Sequence, residues 1–210
     1  IPAACGVLLA LTAAAEARPI TYPGGSMLML EGDEAGGSVE AVHTVSPTFG
    51  VGVLSAWNES QDWQYQAVVA TSLLYRDNQP QSQGNVFATF GVGVASGDVA
   101  AAGKDDGAAA LAVLEADWET RRVYVQARFA GRWLDEIDST AEWRARAGFA
   151  PYLAAAGDLQ TWLILQLDHE PEADDPVVAK AVVRLFAGPV LGEIGVSEDG
   201  APSAVLWFYF

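Results

Sequence analysis

The residues with chemistry to offer are cations in alternation with apolar groups. Arg122, Arg128 and Arg132 share one parity of a segment whose other parity holds Val123, Val125, Phe129 and Trp133. Arg144 and Arg146 repeat the pattern against Trp143, Ala145, Ala147 and Phe149, and Lys180 and Arg184 do so further on. Carboxylates follow the same rule at Glu115 and Asp117, at Asp168 beside Gln166, and at Glu193. A period of two places each charged set on one face of a strand and the apolar set on the other. Two kinds of chemistry fit such a face. The cations can form a ladder with Glu115, Asp117, Glu142, Asp168 and Glu193, or they can line a path that favours anions. The ladder is the stronger reading, because carboxylates occupy nearby strands and an unpaired buried charge is costly.

Other reactive side chains are sparse. His43 and His169 are isolated, and no H-x-x-x-H or H-E-x-x-H spacing occurs. His169 adjoins Asp168 and Glu170, but alternation sends neighbours to opposite faces, so the three cannot converge. No serine stands out as the partner that a lipid hydrolase would need for its histidine. The chain is therefore read as no enzyme, with no catalytic residue and no cofactor. Met27 and Met29 share a face, where thioethers could meet copper(I), but apolar filling accounts for them better.

The elements that must carry these faces are strands. From Ser26 onward, alternating segments of about ten residues are separated by turn-forming clusters. Strands are expected at 25–32, 38–46, 49–58, 63–76, 84–96, 108–118, 121–134, 141–151, 159–169, 177–187, 190–197 and 203–210. The least secure is 108–118, whose alanines favour helix by propensity. Twelve strands, an even number, close an antiparallel up-and-down barrel, and ten is the alternative if two segments are misread. Connections fall into two sets. Pro47-Thr48, Thr120-Arg121 and Gly188-Pro189 are tight, with Asp77–Gln83 and Tyr152–Asp158 as longer members of that set. The other set, Asp33–Gly37, Glu59–Asp62, Gly97–Gly107, Asp135–Thr140, Glu170–Pro176 and Glu198–Ala201, carries at least two carboxylates in every loop. Such acidic loops could gather divalent cations, which suit carboxylate oxygens.

Arginine on a lipid-facing wall costs roughly 2–4 kcal/mol at mid-bilayer depth. In a transmembrane barrel the cationic faces must therefore point into the lumen, with Arg122, Arg128, Arg132, Arg144, Arg146, Lys180 and Arg184 on one half of it. Gly50, Gly52, Gln64, Gln66, Ser72, Thr89 and Gly91 are expected on the other half. Seven tryptophans lie along the strands, several near strand ends, where an interfacial girdle would use at least some of them.

Composition agrees. The 210 residues form one domain by length, and a net charge of −16 argues against nucleic acid as a partner. No run of 18 apolar residues follows the N-terminus, so no membrane-spanning helix is expected. The N-terminus itself reads as a secretory signal over residues 1–17. Gly6–Ala14 is its apolar core, Ala15-Glu16-Ala17 its cleavage site, and the missing Met marks a fragment that lacks its start. A short segment, 18–24, then leads into the barrel at 25–210. The single cysteine, Cys5, falls in the signal, which leaves no disulfide and no thiolate metal cluster.

The last residues, Pro202 to Phe210, place Ala204, Leu206, Phe208 and Phe210 on one face. This ending resembles the C-terminal signal of Gram-negative outer-membrane β-barrels, which finish on Phe with apolar residues two, four and six places earlier. The resemblance implies export to the outer membrane, contact with its lipid and lipopolysaccharide, and handling of the last strand by the barrel-assembly machinery. The opposite face, Val205, Trp207 and Tyr209, is apolar too, unlike a wet pore wall. Pro23-Gly24-Gly25, Ser46-Pro47-Thr48, the stretch Asp117 to Arg122 and the stretch Gly157 to Trp162 are similar to a group of uncharacterised proteobacterial outer-membrane proteins. That resemblance runs from Tyr22 to Phe210 and implies an association with heavy-metal efflux loci. It carries no catalytic residues, and only Met27, Met29 and His43 stand where relatives are richer in Met and His. The expected function is a narrow channel or envelope protein for small solutes or ions. A soluble periplasmic ligand-binding barrel or sandwich and a lipid-modifying enzyme are the alternatives.

Overall fold

Alternating apolar and polar residues build twelve strands in a computed structural model that describes residues 19–97, 106–135, 137–155, 157–169 and 177–210. They are β1 (Ser26–Asp33), β2 (Gly36–Ser46), β3 (Phe49–Asn58), β4 (Trp63–Gln79), β5 (Ser82–Gly97) and β6 (Asp106–Thr120). The second half comprises β7 (Val123–Leu134), β8 (Asp138–Phe149), β9 (Gln160–His169), β10 (Val177–Ala187), β11 (Val190–Ser197) and β12 (Pro202–Tyr209). Every strand pairs antiparallel with its neighbours in the chain, and β12 returns to β1, so the sheet is a closed up-and-down barrel. The seam runs in register from Met27 opposite Tyr209 to Asp33 opposite Ser203. Ser26 N–H donates to Phe210 O at 2.6 Å and Phe210 N–H to Ser26 O at 3.0 Å. Among the described residues there is no helix. The signal segment, 1–17, lies outside them.

The alanine-rich segment expected to waver between helix and strand is fully β. Residues 106–120 pair with β5 along fifteen positions and with β7 along eleven, and those ladders override helix propensity. Two-residue turns at 47–48, 80–81, 121–122 and 188–189 close one end of the barrel, here the turn end. Gly188 takes φ 58°, the positive value that a two-residue hairpin turn of the mirrored type requires at its first position. The expected long connection Asp77–Gln83 does not exist as a loop. β4 and β5 pair on to Gln79 and Ser82 and leave only Pro80 and Gln81 in the turn. The ten residues 150–159 remain the long connection of this end, tied by Tyr152 Oη–H to Leu159 O at 2.9 Å. The opposite end carries the carboxylate-rich loops, of which 98–105 and 170–176 fall outside the described residues.

The outer wall is apolar around the barrel. Val53, Val68, Phe90, Val92, Val94, Leu114, Phe129, Leu165 and Ile194 all face outward and are 50–70% exposed. A protein bathed in water does not present a continuous apolar belt of this kind. Trp57, Trp118 and Trp133 stand near strand ends on this face and Trp143 lies within β8, whereas Trp63 and Trp162 are buried inside and Trp207 packs against the interior core. The tryptophans thus divide between girdle and filling.

Glycine sets the curvature on the inner face. Gly50 and Gly52 of β3 and Gly91 and Gly93 of β5 stand beside β4, where a Cβ on Gly93 would lie 1.8 Å from Gln66 O and 2.6 Å from Ala67 Cα. No side chain fits there without moving backbone. Gly93→Ala is therefore expected to destabilise the barrel by about 1–3 kcal/mol, read as a lower urea midpoint of the refolded protein in detergent micelles. Gly131→Ala, where a Cβ would meet nothing within 4 Å, is the control and leaves the midpoint in place.

Candidate functional site

The lumen has two unlike walls, and parity in each strand decides which residue enters which. On β7 to β11 most of the inward positions above the turn end are polar. Arg146 of β8 donates its Nε–H to Gln166 Oε1 on β9 at 2.7 Å and its Nη groups to both carboxylate oxygens of Glu193 on β11. Arg184 of β10 reaches the same carboxylate with Nε at 2.6 Å, and its guanidinium lies 4.6 Å over the ring of Tyr124. One glutamate therefore holds two arginines, and all three side chains are at most 7% exposed. Below them Tyr124, Ala150, Trp162, Ile164 and Val182 form an apolar cluster toward the turn end.

Nearer the loops the pairs stretch across the barrel. Arg144 bonds Asp168 Oδ1 on the adjacent strand at 2.7 Å and Glu31 Oε1 on β1 at 3.1 Å. β1 and β8 are five strands apart by the shorter way round, so this guanidinium bridges the lumen. Lys180 Nζ joins Asp168 Oδ2 at 3.2 Å, and Gln166 Nε2–H donates to the same oxygen at 2.7 Å. Arg132 is held doubly by Asp138, at 2.6 and 3.2 Å, and rests 4.1 Å over the Trp63 ring of β4. Arg128 has a looser contact, 3.4 Å to Glu142, with about a third of each side chain open.

The other wall, from β1 to β6, is mainly apolar. Met27, Val42, Ala56, Trp63, Tyr65, Ala67, Val69, Ala95 and Ala109 form its buried surface together with Leu134 of β7, and Met29, Leu54, Leu111, Trp207 and Tyr209 pack against it. Gly50, Gly52, Thr89 and Gly91 do face inward, as parity requires. Gln64, Gln66 and Ser72 do not. In β4 the inward parity is that of Trp63, Tyr65, Ala67, Val69 and Thr71, and the two glutamines face outward, next to the 59–62 loop. At that rim the outer face leaves the apolar belt and tolerates an amide, while Trp63 and Tyr65, tilted at 31° with ring centres 5.8 Å apart, fill the interior.

Of the cations expected in the lumen, Arg128, Arg132, Arg144, Arg146, Lys180 and Arg184 enter it. Arg122 does not. Thr120 Oγ1 accepts from Arg122 N–H at 3.1 Å and from Val123 N–H at 2.8 Å, so the turn occupies Arg121 and Arg122, and the Arg122 guanidinium sits exposed near Pro151 O. Glu115, Asp117, Asp168 and Glu193 all point inward. Asp117 accepts from Asn85 Nδ2–H at 2.8 Å, and Asn85 in turn accepts from Arg76 Nε–H at 2.8 Å. Arg76 was invisible to parity because a bulge at Leu74 shifts the register between Leu73 and Tyr75 and reverses the faces beyond it. Glu31 and Glu40 were also missed, although stepping by two from Met27 and Met29 leads directly to Glu31.

These walls enclose a cavity of about 520 Å³ that opens toward the loops. Seven carboxylates line it, Glu31, Asp33, Glu40, Glu115, Asp138, Glu142 and Glu193, against the four guanidiniums of Arg128, Arg132, Arg144 and Arg146. Cationic residues do gather on one side, but the space they border carries an acidic excess. At the turn end the segment 19–21 tucks inward. Pro19 borders the cavity, Ile20 is buried, and Thr21 N–H donates to the buried Thr44 Oγ1 at 3.0 Å.

The histidines lie on the outer face. His169 stacks on Trp143 at 5.3 Å while Asp168 points inward, so the two neighbours do part. His43 Nδ1 pairs with Ser26 Oγ at 3.1 Å across the β1–β2 ladder, a serine partner that spacing alone did not reveal. Among the described residues no carboxylate or amide side chain hydrogen-bonds this imidazole, so the pair lacks the group that would orient it for nucleophilic work. Among the same residues no three His, Cys, Asp or Glu side chains are grouped to hold a metal ion.

Glu193→Ala strips the shared carboxylate from two buried guanidiniums. The expected cost is about 3–5 kcal/mol, the range for breaking a buried ion pair by removing one partner, measured as a shift in the urea midpoint in micelles. Glu142→Ala, at an open and longer pair, is expected to shift it by less than about 1 kcal/mol.

No family model matches the chain, and no curated protein matches it in sequence. Solved structures do match the fold. A KdgM porin in complex with disordered oligogalacturonate superposes with a TM-score of 0.51 at 12% identity, covering 89% of this chain and 98% of that one. The KdgM porin alone gives 0.50 at 11% identity with the same coverage. The Acinetobacter baumannii protein OccAB4 matches at 0.40 and 11% identity over 83% of this chain and 51% of its own. At these identities the two KdgM structures share with this chain the closed barrel architecture.

Proposed function

We propose that this chain is an outer-membrane channel for small solutes. The observation that carries the reading is a closed twelve-strand barrel with an apolar outer wall around a charged cavity that opens at one end. Only a bilayer satisfies such an outer wall, and only a closed barrel lets strands cross one without unpaired backbone groups. The likeness in fold to two porin structures supports it. In that setting the turn end faces the periplasm and the carboxylate-rich loops face outward, where lipopolysaccharide and divalent cations are the expected neighbours. A channel fits better than an enzyme, because among the described residues no third side chain orients the Ser26–His43 pair and the rich polar chemistry lies inside the barrel. An acidic saccharide, like the oligogalacturonate named in the KdgM complex, fits this lumen poorly, since its carboxylates would meet an acidic excess. The heavy-metal association gains nothing from the porin likeness and forms no part of the proposal.

The path is narrow. The Arg146–Glu193–Arg184 cluster and the Tyr124–Trp162 contact fill the periplasmic half, and residues 19–21 sit in its mouth. The refolded protein is expected to migrate faster on SDS gels unboiled than boiled, and to give small discrete current steps in planar bilayers. Thr44→Val, which removes the anchor of Thr21, is expected to enlarge or lengthen those steps. Loss of the gel shift together with solubility in plain buffer would overturn the membrane reading. A silent bilayer with the gel shift intact would overturn conduction.

A further inference from the structure

Glu40 is the anomaly of the lumen. It stands in β2, directly opposite Met29 on β1 and Leu54 on β3, with Glu31 one diagonal step away on the same inner face. The wall around it is apolar, with Tyr65, Trp63 and Trp207 bordering the same cavity. Of the other carboxylates of that cavity, Glu115 stands opposite Arg128 on β7 and the remaining five are directly held. Glu31 holds Arg144, Glu142 holds Arg128, Asp138 holds Arg132, Glu193 holds two arginines, and Asp33 accepts the Ala35 and Gly36 N–H groups of its own turn. Among the described residues Glu40 forms neither an ion pair nor a hydrogen bond through its carboxylate. A carboxylate set half-buried in an apolar wall without a partner is costly, and an ionisable side chain at such depth marks a functional position.

We propose that Glu40 and the aromatic wall beside it form a binding site for an organic ammonium cation. The proposal rests on the channel reading for its setting and names the solute class that the cavity would admit. A carboxylate supplies the countercharge, and Tyr65 and Trp207, which border the same cavity, supply the apolar and cation–π surface that such a ligand uses, the Trp63 ring being covered by Arg132. A bare divalent metal would find one free carboxylate and soft or aromatic neighbours in place of the oxygen cage it needs. An organic anion would meet Glu40, Glu31 and Glu115 with only Arg128 loosely engaged nearby. A volume of about 520 Å³ has room for a ring bearing an ammonium group.

The test uses the refolded full chain in micelles, titrated calorimetrically with benzyltrimethylammonium, benzenesulfonate and benzyl alcohol, three probes of similar ring and different charge. Saturable binding of the ammonium in preference to the other two, weakened about tenfold in Glu40→Gln, is the expected result, since a charge-assisted contact is worth about that much. Glu40→Lys is expected to move the preference to the sulfonate. Both variants are checked for the unboiled gel shift, so a misfolded barrel is not mistaken for a lost site. Equal binding of all three probes, preference for the sulfonate, no saturable binding, or unchanged affinity in folded Glu40→Gln overturns the proposal. Bilayer current is recorded in parallel. Ammonium binding without current overturns the channel and leaves the site standing, and current without ammonium binding does the reverse.

Discussion

The seam between β1 and β12 is the constraint on which the rest depends. A sheet of twelve strands with an apolar outer face has nowhere to leave an open edge, because unpaired N–H and C=O groups in hydrocarbon cost several kcal/mol each. Seven residue pairs from Met27–Tyr209 to Asp33–Ser203 remove that edge, and the exchange between Ser26 and Phe210 finishes the ladder at the turn end. Closure also decides what every other side chain does. Once the barrel is shut, each residue has only an outside and an inside, and the inside must be either filled or wet.

Filling explains the arginines. An eight-stranded barrel has an interior that side chains just occupy, and twelve strands leave more room than ordinary apolar groups cover. Long guanidinium side chains reach across it. Arg144 connects β8 to β1, and Arg132 extends from β7 to lie on Trp63 of β4. Their charge demands carboxylates, and the carboxylates arrive from neighbouring strands, with Glu193 serving Arg146 and Arg184 together. Such networks contribute less to net stability than their number implies, because desolvation offsets much of the attraction. Their larger effect is geometric, since a charge held from two sides fixes the register of the strands that bear it.

Much of this was legible in the sequence, for a simple reason. A strand's period of two is preserved wherever one face meets lipid, so Arg128, Arg132, Arg144, Arg146, Lys180 and Arg184 could be assigned by counting, and twelve strands emerged within a few residues of their true ends. Counting fails where the backbone breaks step. The bulge at Leu74 turned Arg76 to the inner face, where it stays exposed at the turn end, and a turn placed one residue later left Arg122 outside. It fails again at the rim, where the outer face is no longer apolar and Gln64 and Gln66 mimic a lumenal parity. Partnerships across the barrel could not be read at all, because Glu31 and Arg144 are separated by 113 positions and meet only through closure.

The two walls together account for where the cavity lies. Charged side chains from β7 to β11 extend inward and meet one another low in the barrel, sealing the half that holds Tyr124 and Trp162. The facing strands carry glycines and short apolar groups that cannot reach across, so the space left over is pushed toward the loops and against the aromatic wall. A solute entering from the loop end therefore meets an acidic rim, then an apolar and aromatic flank, then a closed layer of ion pairs. On the proposed reading, that order favours small cations with apolar bodies over anions. The layer beneath, where the Glu193 carboxylate holds both Arg146 and Arg184, then lies across the path of the proposed channel.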